Sequence, residues 1–140
     1  MSFNTKLFKL IPYLIVALVF FLPAIDSDLG WHLRYGNYFL ETGRILRENT
    51  LTYYLSGHLM DISYTLYQIL TALIYSSAGL LGLAIAFSLL MVSIFWVFSQ
   101  ISQFSPYFNL LFFLLASWLG WGVFSLAWRA QVFTILGILL

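Results

Sequence analysis

Residues Leu80 to Phe98 read LLGLAIAFSLLMVSIFWVF, without a single charge. A helix needs about 20 apolar residues, at 1.5 Å each, to cross a hydrocarbon layer about 30 Å thick, so this run is a candidate membrane span. It lies inside a longer uncharged stretch of 67 positions between Asp61 and Arg129. Over the 140 residues, 62% are hydrophobic and 8% charged, against about 25% charged in an ordinary soluble domain. The composition predicts an integral membrane protein. The net charge is +1 with only six Lys and Arg, spread along the chain, which excludes binding to nucleic acid by clustered phosphate neutralisation. The absence of Cys excludes disulfides and thiolate metal sites.

Toward the N-terminus, a first span is expected from about Leu7 to Ile25, with an apolar core from Leu10 and with Lys6 and Lys9 before it. Basic residues on that flank predict a cytoplasmic N-terminus. A cleavable signal peptide is the competing reading, but Pro23, Ala24 and Ile25 lead straight into Asp26 and make a poor cleavage site, so a retained span is expected. Toward the C-terminus, Ser99 to Pro106 reads as a short turn and Tyr107 to about Leu126 as another span, loosened near Gly120 and Gly122. A further helix begins near Arg129, and only Ala130 to Leu140 follow. Eleven residues fall short of a span, so the chain reads as the N-terminal part of a longer polytopic protein.

Ile62 to Ala78 is apolar but carries Ser63, Tyr64, Thr65, Tyr67 and Gln68 at its start, and reads as an interfacial or partly embedded helix. If it does not cross, the charged loop before it and Arg129 share the outer face; if it crosses, they lie on opposite faces. The later turns hold almost no Lys or Arg by which to decide.

Eight of the eleven charged residues sit in the single loop 26 to 61, with His32 and His58. A polar loop on a membrane protein is where water and substrate meet. Within it, Leu29 to Thr42 is predicted to be an interfacial helix. Gly30, Arg34, Asn37 and Glu41 form a polar stripe, and Trp31, Tyr35, Tyr38 and Phe39 lie on adjoining faces suited to the headgroup region. Asp26 or Ser27 is expected to cap its start and Gly43 to close its end. Arg44 to Asp61 is a connector, briefly extended over Leu51 to Leu55 before a turn at Ser56 and Gly57.

The segment Asp26-Ser27-Asp28-Leu29-Gly30-Trp31-His32 stands where the first span ends. Asp28 and His32 are four apart and share a helix face. Two carboxylates beside an imidazole could hold a divalent metal, orient a hydroxyl or serve as a general base. The plainer reading is a helix start, where acidic side chains interact favourably with the dipole. His32 equally suits a hydrogen bond to Asp28, and His58 and Asp61 suit loop solvation and a cap. Trp31, Tyr35 and Tyr38 could stack on a sugar ring, but an interfacial aromatic belt accounts for them with no ligand and is the expected reading. No Gly-rich phosphate loop, zinc pattern or Ser-His-Asp arrangement is present in the sequence, so nucleotide hydrolysis is not supported.

The stretch Asp26 to Gly36 (DSDLGWHLRYG), followed by Gly43-Arg44-Ile45, Thr52-Tyr53 and Ser56-Gly57, resembles the first outer loop of bacterial GT-C type membrane glycosyltransferases. These polytopic enzymes use polyprenyl-phosphate sugars and include the protein mannosyltransferases and the lipid A aminoarabinose transferase. The chain departs from that pattern in two places. Asp61-Ile62-Ser63-Tyr64 stands where relatives often have a His-Glu-Trp-like segment, and Arg129-Ala130-Gln131 where they often have Arg-Pro-Gln.

The resemblance implies an all-α polytopic fold with interfacial helices in an outer loop. It implies a lipid-linked sugar donor, an acceptor whose identity it leaves open, and a bacterial inner membrane with loop 26 to 61 outside. Asp26 and Asp28 would be catalytic, one taking the proton of the acceptor hydroxyl. Arg129, with Arg44, Arg34 and His32 behind it, would meet the leaving phosphate. Asp26, Asp28 and His32 would be the ligands if a divalent metal takes part. For Arg129 the alternative is a snorkelling interfacial anchor. The competing class is a non-catalytic membrane component, either a subunit working with a partner or the remaining part of its protein, or a truncated remnant. A transporter fragment ranks last, because the spans hold only Ser, Thr, Asn and Gln as polar groups.

Overall fold

The computed structural model describes residues 3–21, 27–49, 54, 56–59, 63–120 and 129–140, with side chains from Phe8 onward. Among the described residues there are five helices and no strand: α1 (Phe3–Val19), α2 (Leu29–Thr42), α3 (Thr65–Ile101), α4 (Pro106–Leu119) and α5 (Ala130–Leu139). The all-α expectation holds. Among the described residues one helix, α3, is long and apolar enough to cross a membrane by length and composition.

That helix is two helices joined at Gly79, whose φ of 59° and ψ of −148° lie outside helical space. The break separates the polar-dotted segment ending at Ala78 from the apolar run beginning at Leu80. Residues 80–101 alone are about 33 Å long at 1.5 Å per residue, enough for the hydrocarbon layer. By contrast, α1 has 17 residues and α4 has 14. Spans were expected from Leu7 to Ile25 and from Tyr107 to Leu126; residues 22–26 and 121–128 lie outside the described residues. Gly120 ends α4, its N–H donating to the Ala116 carbonyl at 2.8 Å.

The chain divides into two compact units, one of residues 1–24 and 84–140 and one of residues 25–83. In the first unit, ring contacts set the helix directions. Phe20 meets Phe87 at 6.2 Å between centroids and Tyr13 meets Phe95 at 5.0 Å, so α1 runs antiparallel to the second part of α3. Tyr107 donates its hydroxyl to the Phe8 carbonyl at 2.8 Å, and Phe113 stands 6.0 Å from Phe20, so α4 runs parallel to α1. A polar tie joins the first pair: Ser88 Oγ donates to the Ala17 carbonyl at 2.8 Å. Ser105 caps α4 by accepting from the Phe108 N–H, and Pro106 opens the helix where its missing N–H is of no cost.

The core of this unit is Val16, Phe20, Phe87, Met91, Phe95, Leu110 and Val132, all buried. The outer faces are apolar too. Leu10, Leu14 and Leu18 on α1, Ile85, Leu89 and Trp96 on α3, and Leu111, Leu115 and Trp118 on α4 are exposed ridges at helical spacing. Apolar ridges on these three helices suit hydrocarbon rather than water.

The second unit pairs α2 with the first part of α3. The predicted bounds of α2, Leu29 to Thr42, coincide with those observed. Gly43 closes it in the left-handed conformation, φ 67°, with its N–H on the Phe39 carbonyl at 2.8 Å. The cap residue is Asp28 rather than Asp26 or Ser27. Its backbone has helical values, φ −92° and ψ −1°, which turn its carboxyl away from the N–H groups an extended cap would reach. The aromatic face of α2 is also reassigned: Tyr35 is buried against protein, not presented to headgroups. Beyond α2, the Asn49 N–H donates to the His58 carbonyl at 2.9 Å and Glu48 bridges Leu59, with Gly57 at φ 83° in the expected turn. Of Leu51 to Leu55, only Tyr54 is described, as an exposed turn residue.

Candidate functional site

The site predicted from sequence begins at the start of α2. Asp28 is exposed, and its backbone carbonyl accepts the N–H groups of Trp31 and His32 at 3.0 and 3.1 Å. Its Oδ1 accepts the Ser27 hydroxyl at 3.4 Å, a long contact. Asp26 and Asp61 lie outside the described residues. Asp28 therefore stands on the exposed first turn of a helix, where water and a ligand can both reach a carboxylate.

One turn further, His32 is half-buried between α2 and the start of α3. Its ring meets Tyr67 edge-on, centroids 4.9 Å apart and planes at 82°, and lies 6.4 Å from Tyr64. Edge-to-face aromatic contacts fix a ring's orientation as well as burying it. His32 is thus a wall residue of the α2–α3 pair. Next to it in the helix, Tyr35 is 6% exposed. Its hydroxyl has no hydrogen-bond partner among the described residues, and burial pushes its phenol above the usual value of 10.0.

The helices can come this close because Gly36 faces the α3 backbone. A Cβ there would overlap the Gln68 carbonyl oxygen and stand 2.6 Å from Ala72 Cβ. Thr71, also buried, donates its hydroxyl to the Tyr67 carbonyl at 2.7 Å, so its polar atom is satisfied within its own helix.

The arginines are distributed differently. Arg34 and Arg44 are exposed on the unit that contains Asp28, Arg44 just after Gly43 with its N–H on Thr42 Oγ1 at 3.2 Å. Arg129 belongs to the other unit. There it precedes α5 in extended conformation, φ −138° and ψ 152°, with its carbonyl accepting from Val132 at 3.2 Å. Among the described residues, no three His, Asp or Glu side chains gather into a metal-sized group. Of the three metal ligands expected, Asp28 and His32 are described and lie four apart on one helix.

Two features are not legible as site elements in the sequence, the packing of His32 against Tyr64 and Tyr67 and the Gly36 crossing. Tyr64, Tyr67 and Thr71 recur at spacings of three and four, a helix-face signal that points at a neighbour, and Gly36 lies in the middle of the helix that answers it. No family model matches this chain, and no curated protein or solved structure matches it.

Proposed function

We propose that the chain is the N-terminal part of a membrane glycosyltransferase that takes its sugar from a polyprenyl-phosphate donor. The observation that carries this reading is Asp28, an exposed carboxylate on the first turn of α2 in the compact unit that also holds Arg34, Arg44 and His32. The donor's prenyl tail stays in hydrocarbon and its sugar–phosphate bond stands at the surface. In the reaction, the acceptor oxygen attacks the anomeric carbon with inversion and the carbon–oxygen bond to phosphate breaks. The lipid phosphate leaves with the bonding electrons, and the acceptor proton passes to Asp28 or Asp26. Arg34, Arg44 and Arg129 are the cations proposed for the leaving phosphate, and His32 a further contact to it. A divalent ion on Asp28, His32 and Asp26 would add charge stabilisation at the same oxygen atoms. The orientation belongs to the proposal: N-terminus in the cytoplasm, loop 26 to 61 outside, in a bacterial inner membrane.

The test is transfer from a labelled polyprenyl-phosphate sugar by the full-length protein in membrane vesicles. Asp28→Asn is expected to lower the rate by about a hundredfold or more, the usual scale for a lost general base, with insertion unchanged. An unaltered rate contradicts the assignment.

A second reading, a non-catalytic membrane subunit, is favoured by the apolar ridge Leu111, Leu115 and Trp118 on α4, which a partner helix would cover as well as lipid. It predicts that a second polypeptide co-purifies in mild detergent, and that Asp28→Asn leaves transfer by the assembly unchanged.

A further inference from the structure

Three features meet at the bend in α3. Gly79 holds φ 59° and ψ −148°, a backbone reserved in practice for glycine, and open space surrounds it. Three residues on, a Cβ at Gly82 would stand 2.8 Å from Ala78 Cβ and 3.1 Å from the Ile74 carbonyl oxygen. In an unbroken helix Ile74 and Gly82 are about 12 Å apart along the axis, so this contact exists only in the bent form. Before the bend, the Ser76 and Ser77 hydroxyls donate back to the Leu73 and Ile74 carbonyls at 2.9 and 2.8 Å, bonds that loosen a helix.

Nothing in the sequence enforces the bend. The three prolines are Pro12, Pro23 and Pro106, and glycine takes right-handed helical backbone as readily as positive φ. A continuous helix from Thr65 to Ile101 would be about 55 Å long, against about 33 Å for residues 80–101 alone. No charge between Asp61 and Arg129 keeps the earlier turns out of hydrocarbon. In a bilayer thicker than residues 80–101 the span is mismatched, and straightening at Gly79 extends its apolar length. The segment before the bend carries α2 with it, because Gly36 packs against Gln68 and Ala72. We propose that Gly79 and Gly82 form a two-position joint, bent in a bilayer matched to residues 80–101 and straight in a thicker one, through which membrane thickness sets the depth of α2 and Asp28. The inference rests on the placement of the chain in a membrane and is independent of glycosyl transfer.

The experiment measures the dipolar distance between nitroxide labels on Leu66→Cys and Leu81→Cys, positions 80% and 60% exposed on either side of the bend. The full chain is placed in vesicles of dimyristoleoyl-, dioleoyl- or dierucoyl-phosphatidylcholine, in order of increasing thickness. In a continuous helix the fifteen steps between the labelled residues span about 22 Å. The two thinner bilayers are expected to give a separation well short of that value, and the thickest a second population at it. Gly79→Ala combined with Gly82→Ala disfavours the bent backbone, crowds the Ile74 carbonyl and raises helix propensity, so it should enlarge the long-distance population in every lipid. Gly137→Ala, a helical glycine with open space around it, should leave the distances unchanged. One short distance in all three lipids means a rigid corner, and one long distance in all three means no bend; either overturns the proposal. A double variant that keeps the short distance overturns it too. Should the double variant fail to fold, the parent's response to the three lipids decides alone.

Discussion

Gly36 of α2 packs directly onto the backbone of Gln68 in α3, so closely that a methyl group at residue 36 would overlap the Gln68 carbonyl oxygen. The contact sets the close approach of α2 to α3, with His32 and the buried Tyr35 on the flanking turn. Gly36→Ala is expected to destabilise this unit by about 1–3 kcal/mol through overpacking, despite the better helix propensity of alanine. Thermal unfolding in detergent, followed by far-ultraviolet circular dichroism, checks this. A variant as stable as the parent would contradict the crossing.

Tyr35 makes a pH-dependent prediction. Its phenol is raised above 10.0 by burial, so the folded state holds that proton more tightly than the unfolded state does. The associated stability is fully present below pH about 10 and is lost as pH rises through the folded value. Tyr35→Phe removes the buried hydroxyl with little change in shape, so stability at pH 7 should be nearly unchanged and the alkaline loss reduced. Melting temperatures of parent and variant between pH 8 and 11.5 are the measurement. Parallel curves would show that Tyr35 does not contribute.

Gly79 divides α3 with a backbone conformation that non-glycine residues avoid. Gly79→Ala is expected to cost about 1–3 kcal/mol, although nothing lies within 4 Å of the added methyl group. Strain rather than crowding is the cause, and ψ −148° lies far from the left-handed helical region that asparagine tolerates, so Gly79→Asn should cost about as much as alanine in the same melting experiment. Equal stability of all three proteins would mean that the helix runs unbroken through this point.

Much of this architecture is legible in the residues. The start of α2 follows an acidic pair, its end is a glycine free to turn left-handed, and the reading broke the long apolar stretch between Ala78 and Leu80, at the glycine that breaks the helix. Ser105-Pro106 marks the start of α4 in the same way. These are local signals, each set by a few backbone angles. The packing was not legible. Nothing local distinguishes Gly36, which admits a neighbouring helix, from Gly30, which has open space around it. Tyr35 reads as part of a headgroup belt because an aromatic on a helix flank looks the same toward lipid and toward protein. The cap at Asp28 differs from the expected one because a side-chain cap requires an extended backbone, and that depends on how the preceding residues arrive. Of the site itself, the exposure of Asp28 and its spacing to His32 could be read from the chain. The aromatic wall around His32 required α3.

The account turns on an acidic loop held on the membrane side opposite the N-terminus. The chain contains no cysteine, so single introduced thiols report without background. In α1 the N-terminal end lies beside the turn from Ser102 to Ser105, because Tyr107 bonds to Phe8. On the proposed orientation Glu41→Cys reports the outside and Gln103→Cys the cytoplasm, and both positions are exposed. The most direct measurement is the reaction of each variant with a membrane-impermeant maleimide, before and after permeabilisation of cells from which any outer membrane has been stripped. The account predicts that Glu41→Cys reacts in intact cells and that Gln103→Cys reacts only after permeabilisation; equal reactivity of the two in intact cells would contradict it.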